Sequence, residues 1–162
     1  MGTGKAGIQK EKEKMSDIRV EIRKDNTEEV KKALEEALDV AMEAVGIQAE
    51  GYAKLNLETN PRRVDTGLLR NSITYVVAGQ PPHIKSYHAD KPSEFGAYKI
   101  GRYMGTQPKE STPAVYIGTN VEYAPYVHEG SKTVQPPNRF LKNAAQGHEE
   151  EYKRLIETVL EG

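Results

Sequence analysis

Residues 27–58 constrain the fold more than any other part of the chain, because they hold a helical period without interruption. Apolar side chains recur at Val30, Ala33, Leu34, Ala37, Leu38, Ala41, Ala44 and Val45, and Gln48, Tyr52 and Leu55 continue the stripe. Asn26 or Thr27 is suited to cap the start. Glu28 and Glu29 fall in the first turn, where unsatisfied N–H groups and the helix dipole favour negative charge. Pro61, with no N–H to give and a ring that clashes with the preceding turn, ends the run. At 1.5 Å per residue, the helix would be roughly 45–50 Å long. In a chain of 162 residues that leaves material for only a small second layer. Gly46 and Gly51 are the points where it would break. Nine acidic residues and three lysines lie between Asp25 and Glu58, so the outer face reads as acidic and solvated.

The rest of the chain offers strands and one more helix. Asp17–Lys24 alternates Ile18, Val20 and Ile22 with Arg19, Glu21 and Arg23, the period of a half-buried strand. Further β-rich segments run from Ile73 to Ala78 and from Ala114 to Thr119. A last helix, from Asn138 or Arg139 to Leu160, carries Phe140, Leu141, Ala144, Ala145, Tyr152, Leu155, Ile156 and Val159, with Gly147 as a bending point. The expected class is α+β: a small antiparallel sheet packed against one long helix and a C-terminal helix, with a long loop or hairpin insertion. Residues 1–15 read as a flexible N-terminal arm, and 16–162 as a single domain with the insertion at 79–113. Neither the arm nor the Pro-, Gly- and Tyr-rich insertion has apolar periodicity to offset an ordering cost of roughly 1–2 kcal/mol per residue. Both are therefore expected to be ordered mainly by neighbouring subunits.

Composition excludes several chemistries. There is no cysteine, hence no disulfide, thiolate zinc site or cysteine nucleophile. The net charge of -1 gives no global field towards nucleic acid or membrane. No apolar run approaches the roughly 20 residues that span a bilayer, and the first residues lack the apolar stretch of a signal peptide. Asp65-Thr66-Gly67 has the triplet of retroviral-type aspartic proteases, but it follows Asn60-Pro61-Arg62-Arg63 instead of an apolar strand. The expected role is a turn with Asp65 or Thr66 as a helix cap. His83, His88 and Asp90 have neither helical nor zinc-knuckle spacing, so no metal is expected. No cofactor and no catalytic residue is indicated. Residues 62–110 hold eight basic against four acidic positions, with Tyr87, Tyr98 and Tyr103 interleaved. Such a stretch suits an acidic neighbouring subunit, or alternatively nucleic acid through phosphate contacts and stacking.

Three blocks occur in a fixed order. The first is Val64-Asp65-Thr66-Gly67-Leu68-Leu69-Arg70-Asn71-Ser72-Ile73. The second runs from Val115-Tyr116-Ile117-Gly118-Thr119 to Tyr123-Ala124-Pro125-Tyr126-Val127-His128-Glu129-Gly130, and the third is Pro137-Asn138-Arg139-Phe140-Leu141. This ordered trio resembles the tail-completion or head–tail joining family of long-tailed bacteriophages over roughly residues 26–160. The long 79–113 insertion and the N-terminal arm depart from that pattern. The resemblance implies a non-enzymatic structural protein of the virion neck, assembled in the host cytoplasm. It would form a ring between connector and tail tube, with six copies matching the usual symmetry. Implied neighbours are a neck or connector protein and a tail terminator or tube protein, with passing contact with genomic DNA in the lumen. A tail terminator or minor tail subunit is the alternative within the same class. Tyr87, Tyr98, Tyr103, Tyr123 and Tyr126 are the candidate subunit contacts, since tyrosine offers contact area at low entropic cost. Pro125, Arg139 and Phe140 are expected to brace the turn against the last helix.

Overall fold

The structure, a computed structural model, describes residues 27–59, 61–81, 84–92, 94, 99–104 and 113–162. The arm at 1–15, the expected strand at 17–24, His83 and Tyr98 lie outside the described residues. Contacts divide the chain into two compact units, Met1–Lys32 and Ala33–Gly162. The strands, the core and the C-terminal helices all belong to the second.

Helix α1 runs Thr27–Glu58 without a break at either glycine. Its buried face matches the stripe that the period suggests only in part: Ala41 and Val45 are buried and Ala37, Leu38, Ala44 and Tyr52 half-buried, but the two diverge along the helix. The buried residues are Ala41, Val45, Gly46, Ala49, Ala53 and Leu57, whereas Gln48 is exposed and Leu34 and Leu55 are each 53% exposed. The reason is geometric. Burial advances in steps of four through Val45, Ala49, Ala53 and Leu57, and each step of four turns about 40° past a full circle. The packed elements therefore follow a side-chain row inclined to the helix axis, while a 3.6-residue stripe runs parallel to it. Gly46 marks a close approach: a Cβ there would run into the ring of Tyr75.

After Pro61 the chain forms the short helix α2 (Leu68–Ser72) and four strands: β1 (Thr74–Val77), β2 (Ile84–His88), β3 (Ile100–Met104) and β4 (Val115–Gly118). β1 pairs antiparallel with β4, from Thr74↔Gly118 to Val77↔Val115. β2 pairs antiparallel with β3, from Ile84↔Met104 to His88↔Ile100. Among the described residues these are two small two-stranded sheets, and with the helices they make a small α+β fold.

The second pair corrects the reading of 79–113. Its described part is a hairpin that belongs to the domain's own core, with Tyr87 at 8% and Ala89 at 1% exposure, and Tyr103 packed against the same cluster. The Tyr87 ring lies over Gly101, directly opposite in the register, where a Cβ would overlap it. Its hydroxyl donates to Asn120 Oδ1 at 2.5 Å. Tyr87 and Tyr103 are thus core-facing, and the hairpin has apolar anchorage of its own.

Helix α3 (Ala124–Glu129) follows β4, and the expected last helix is two, α4 (Phe140–Gln146) and α5 (Glu149–Glu161). Gly147 ends α4, and its N–H donates to Asn143 O at 2.8 Å. The core gathers Ala53 and Leu57 of α1, Leu69, Ile73, Tyr87, Val121, Ala124, Val127, Phe140 and Ala144. Helix α5 has no fully buried residue, although Tyr152, Leu155, Ile156 and Val159 are half-buried along one face.

Candidate functional site

The three sequence blocks meet around α2, α3 and the start of α4. In the first, Gly67 is the N-cap of α2 at φ 87°, a left-handed conformation that L side chains resist. No side chain caps this helix. Thr66 Oγ1, one residue before the N-cap, accepts the Leu68 N–H at 3.4 Å, and Asp65 stands exposed on the turn. The expected Asp65 cap is therefore corrected: a glycine opens the helix, and the backbone holds the turn. Thr66 O accepts the N–H groups of Asp90 (2.7 Å) and Lys91 (3.2 Å). The Arg70 guanidinium pairs with Asp90 and lies 3.6 Å from Glu58. The Asn71 amide donates to His88 O at 2.8 Å and to Asp90 Oδ1 at 2.9 Å. These bonds tie α2 to the end of β2.

The second block is bonded to the first. The buried Ser72 hydroxyl donates to Leu69 O at 2.6 Å and shares a hydrogen bond with Thr119 Oγ1. Pro125 sits in the first turn of α3, where a missing N–H costs nothing. Burial raises the pKa of the Tyr123 phenol, with a further push from the Asp65 charge, while an N–H bond from Leu69 pulls the other way. The Gly130 N–H donates to Tyr126 O at 2.9 Å and closes α3.

The third block locks the second to α1. Asn138, 3% exposed, takes Val127 O with its backbone N–H at 2.9 Å. Its side-chain amide donates to Asn56 O at 2.7 Å and Pro61 O at 2.8 Å. Asn56 replies through its own amide to Phe140 O at 3.2 Å. Phe140 is fully buried and meets the His128 ring edge-on at 5.4 Å. His128 Nδ1 lies 2.6 Å from Glu129 Oε2, and Nε2 accepts the Lys142 N–H at 3.2 Å. Hydrogen bonding from His128 holds the Glu129 carboxyl below its usual range, with Arg139 Nε 3.5 Å away adding to the effect. Of the expected brace residues, Phe140 fills the core, and Arg139 acts from the surface through Glu129. Asn138 and Asn56 carry more of the joint; Asn138 lies within the third block but its bonding role is not legible there, and no motif singles out Asn56.

Several large apolar side chains of the described residues are exposed. Val40 (59%), Ile47 (58%), Ile100 (82%) and Tyr126 (59%) stand exposed, and Tyr123 is 43% exposed. A groove of about 810 Å³ runs beside β4, α3 and α4, with Ile117, Pro125, His128, Leu141 and Lys142 among its walls. Much of the expected basic surface is used internally. Arg62 donates to Val64 O at 2.6 Å, Arg63 to Pro136 O at 2.7 Å, and Lys85 to Ile73 O at 2.8 Å. Lys85 also lies 3.6 Å from Glu50. Desolvation lowers its pKa, with the Glu50 charge opposing. Lys91, Lys99 and Arg102 remain on the surface. Among the described residues, no group of three or more His, Asp or Glu is arranged to hold a metal, and no helix is long and apolar enough to cross a membrane. Comparison with family models, with curated proteins and with solved structures finds no match.

Proposed function

We propose that the chain is a structural subunit of the head–tail joint of a long-tailed bacteriophage, assembling with copies of itself into a ring between connector and tail tube. The observation that carries this reading is where the three family-like blocks sit. They form one bonded unit, through Ser72–Thr119, Asn138–Val127 and His128–Phe140. Their shared business is to hold a scaffold together, and the scaffold leaves apolar side chains outside on α1, α3 and the hairpin. A protein that keeps such surface exposed gains by covering it on assembly, and closure of a head-to-tail contact avoids an open filament.

The rival reading, a nucleic-acid-binding module, needs its basic residues available. Arg62, Arg63, Arg70 and Lys85 are committed to carbonyl and carboxylate partners within the domain. Among the described residues of 62–110, Lys91, Lys99 and Arg102 are the exposed cations beyond these four, a sparse footprint for phosphate binding. Native mass spectrometry and negative-stain microscopy of the purified full-length chain test the proposal. Closed rings of identical subunits are the expected result, and a chain that stays monomeric at every concentration removes the ring.

A further inference from the structure

We infer that two copies of this chain meet through unlike faces: the exposed face of α1 on one copy receives the outer face of the β2–β3 hairpin of the other. The inference rests on the self-assembly proposed above and names the surfaces that would carry it.

On α1, Val40 and Ile47, two turns apart on one face, are 59% and 58% exposed. Residues three and four apart are neighbours on a helix surface. Val40 is thus bracketed by the exposed Glu36 and Glu43, and Ile47 adjoins Glu43, which also accepts the Tyr75 hydroxyl; Glu50, on the other side of Ile47, is paired with Lys54 and Lys85. Ala37 and Ala44, close to this ridge, keep it low and allow a partner to approach. The result is an apolar strip with an acidic margin.

On the hairpin, the register fixes which residues share a face. Ser86 and His88 of β2 stand opposite Arg102 and Ile100 of β3, and with Ile84 they lie on the face opposite to Tyr87. Ile100 is 82% and Ile84 50% exposed, and Arg102 and Lys99 are on the surface beside them. A depression of about 480 Å³ lies along the strand pair, lined by Ser86, Tyr87, His88, Ile100, Gly101 and Arg102. This is an apolar patch with a basic margin.

Charge decides which pairing forms. Two α1 faces brought together would set Glu36 and Glu43 against their own kind, and two hairpins would do the same with Lys99 and Arg102. Like charges facing each other across an interface are disfavoured, and unlike ones fix register. Each face is ill-suited to itself and suited to the other, which makes the contact head-to-tail. Such a contact leaves one face of each kind free for the next copy.

The chain has no cysteine, so single thiols report position cleanly. Val40→Cys and Ile100→Cys both lie on exposed side chains, and each variant would be made full-length with a distinguishable tag. An equimolar mixture treated with a short bis-maleimide is expected to give the mixed dimer, with either variant alone largely uncoupled. Homodimers of the Val40→Cys variant as abundant as the mixed species would overturn the pairing. Arg102→Glu is expected to weaken self-association by roughly tenfold or more, and Glu36→Arg supplied in the partner copy to recover most of that loss. Assembly with no mixed coupling removes this interface and leaves the structural-subunit reading standing. Mixed coupling within open chains keeps the interface and removes the closed ring. A chain that stays monomeric removes both.

Discussion

Two glycines on α1 show how one residue type carries opposite consequences. At Gly46 the nearest atoms to an added Cβ belong to the Tyr75 ring, too close to coexist with it, whereas at Gly51 nothing lies within 4 Å. Alanine improves helix propensity at both sites by up to about 1 kcal/mol. At Gly46 the gain is overwhelmed, because Tyr75 is held in place by a hydrogen bond from its hydroxyl to Glu43. Overpacking of this kind costs about 1–3 kcal/mol. Chemical denaturation is expected to find Gly46→Ala destabilised and Gly51→Ala unchanged or stabilised. Equal effects would mean that α1 does not pack on Tyr75 as described. A second contrast separates Asn138 from Asp65. Asn138→Ala leaves the carbonyls of Asn56 and Pro61 without their side-chain partner, at roughly 1–3 kcal/mol for a buried group. Asp65→Ala touches an exposed side chain and is expected to stay within about 0.5 kcal/mol. A loss at Asp65 as large as that at Asn138 would restore the cap role.

At the scale of elements, the weakest attachment of the second unit is α5. None of its residues is fully buried, and it is held near its start by Tyr52, His148, Glu151 and Tyr152. The Tyr52 and His148 rings stack at 3.5 Å, and Tyr152 donates its hydroxyl to Ala144 O at 2.5 Å. Both ends of the pH scale should loosen this cluster. Hydrogen bonds from Tyr52 and His148 lower the Glu151 carboxyl below its ordinary 4.5. A depressed carboxyl contributes stability above the unfolded value and loses it as pH falls through the folded one, so α5 should weaken below pH 4.5. Burial pushes the Tyr152 phenol from 10.0 up to about 12. A raised phenol contributes fully below pH 10.0, and its share is lost as pH rises towards 12. Amide exchange over Glu149–Glu161 should be slowest in the window between, and flat protection from pH 3 to 11 would disprove it.

The elements also show what was legible in advance. The end of α1 follows from Pro61, and β1 and β4 from their β-branched runs, since those signals are local; Asn26, one of the two candidate caps, lies outside the described residues. A hairpin is one of two forms open to the insertion, but the sequence does not place its strands at Ile84–His88 and Ile100–Met104. Their inner faces alternate through Lys85, Tyr87, Gly101 and Tyr103, which carry little apolar signal by sequence alone. Tyr87 becomes a core residue only because Gly101 stands opposite it, and a register is a long-range fact. The oblique track of burial along α1 is equally invisible to a period count, because the partner's crossing angle sets it. In the candidate site, the motif turns were readable, but the amides of Asn56 and Asn138 join segments more than seventy positions apart in the chain.

For the whole molecule, the distribution of burial predicts how order changes on assembly. The hairpin has its own anchors in Tyr87, Ala89 and Tyr103, so it should not depend on a neighbour. Helix α1 is different: no described residue before Ala41 is buried, and Val40 and Leu34 lie open to solvent. A helical stretch without tertiary packing is marginal in water, because propagation alone barely offsets the ordering of each residue. Opening free energies should therefore fall along α1 towards its start, from near the global value around Ala53 to a small value around Leu34. Assembly would bury Val40 and Ile47 and raise the low end. Hydrogen exchange on dilute monomer and on assembled protein reads both quantities in one experiment. Amides of residues 33–40 are expected to exchange fast in the monomer and to slow sharply in the assembly, while those of Ile84–His88 keep the same protection in both. The reverse pattern, with a hairpin that gains protection and an α1 that does not, would mean that the hairpin is ordered by its neighbours and that the first turns of the helix hold by themselves.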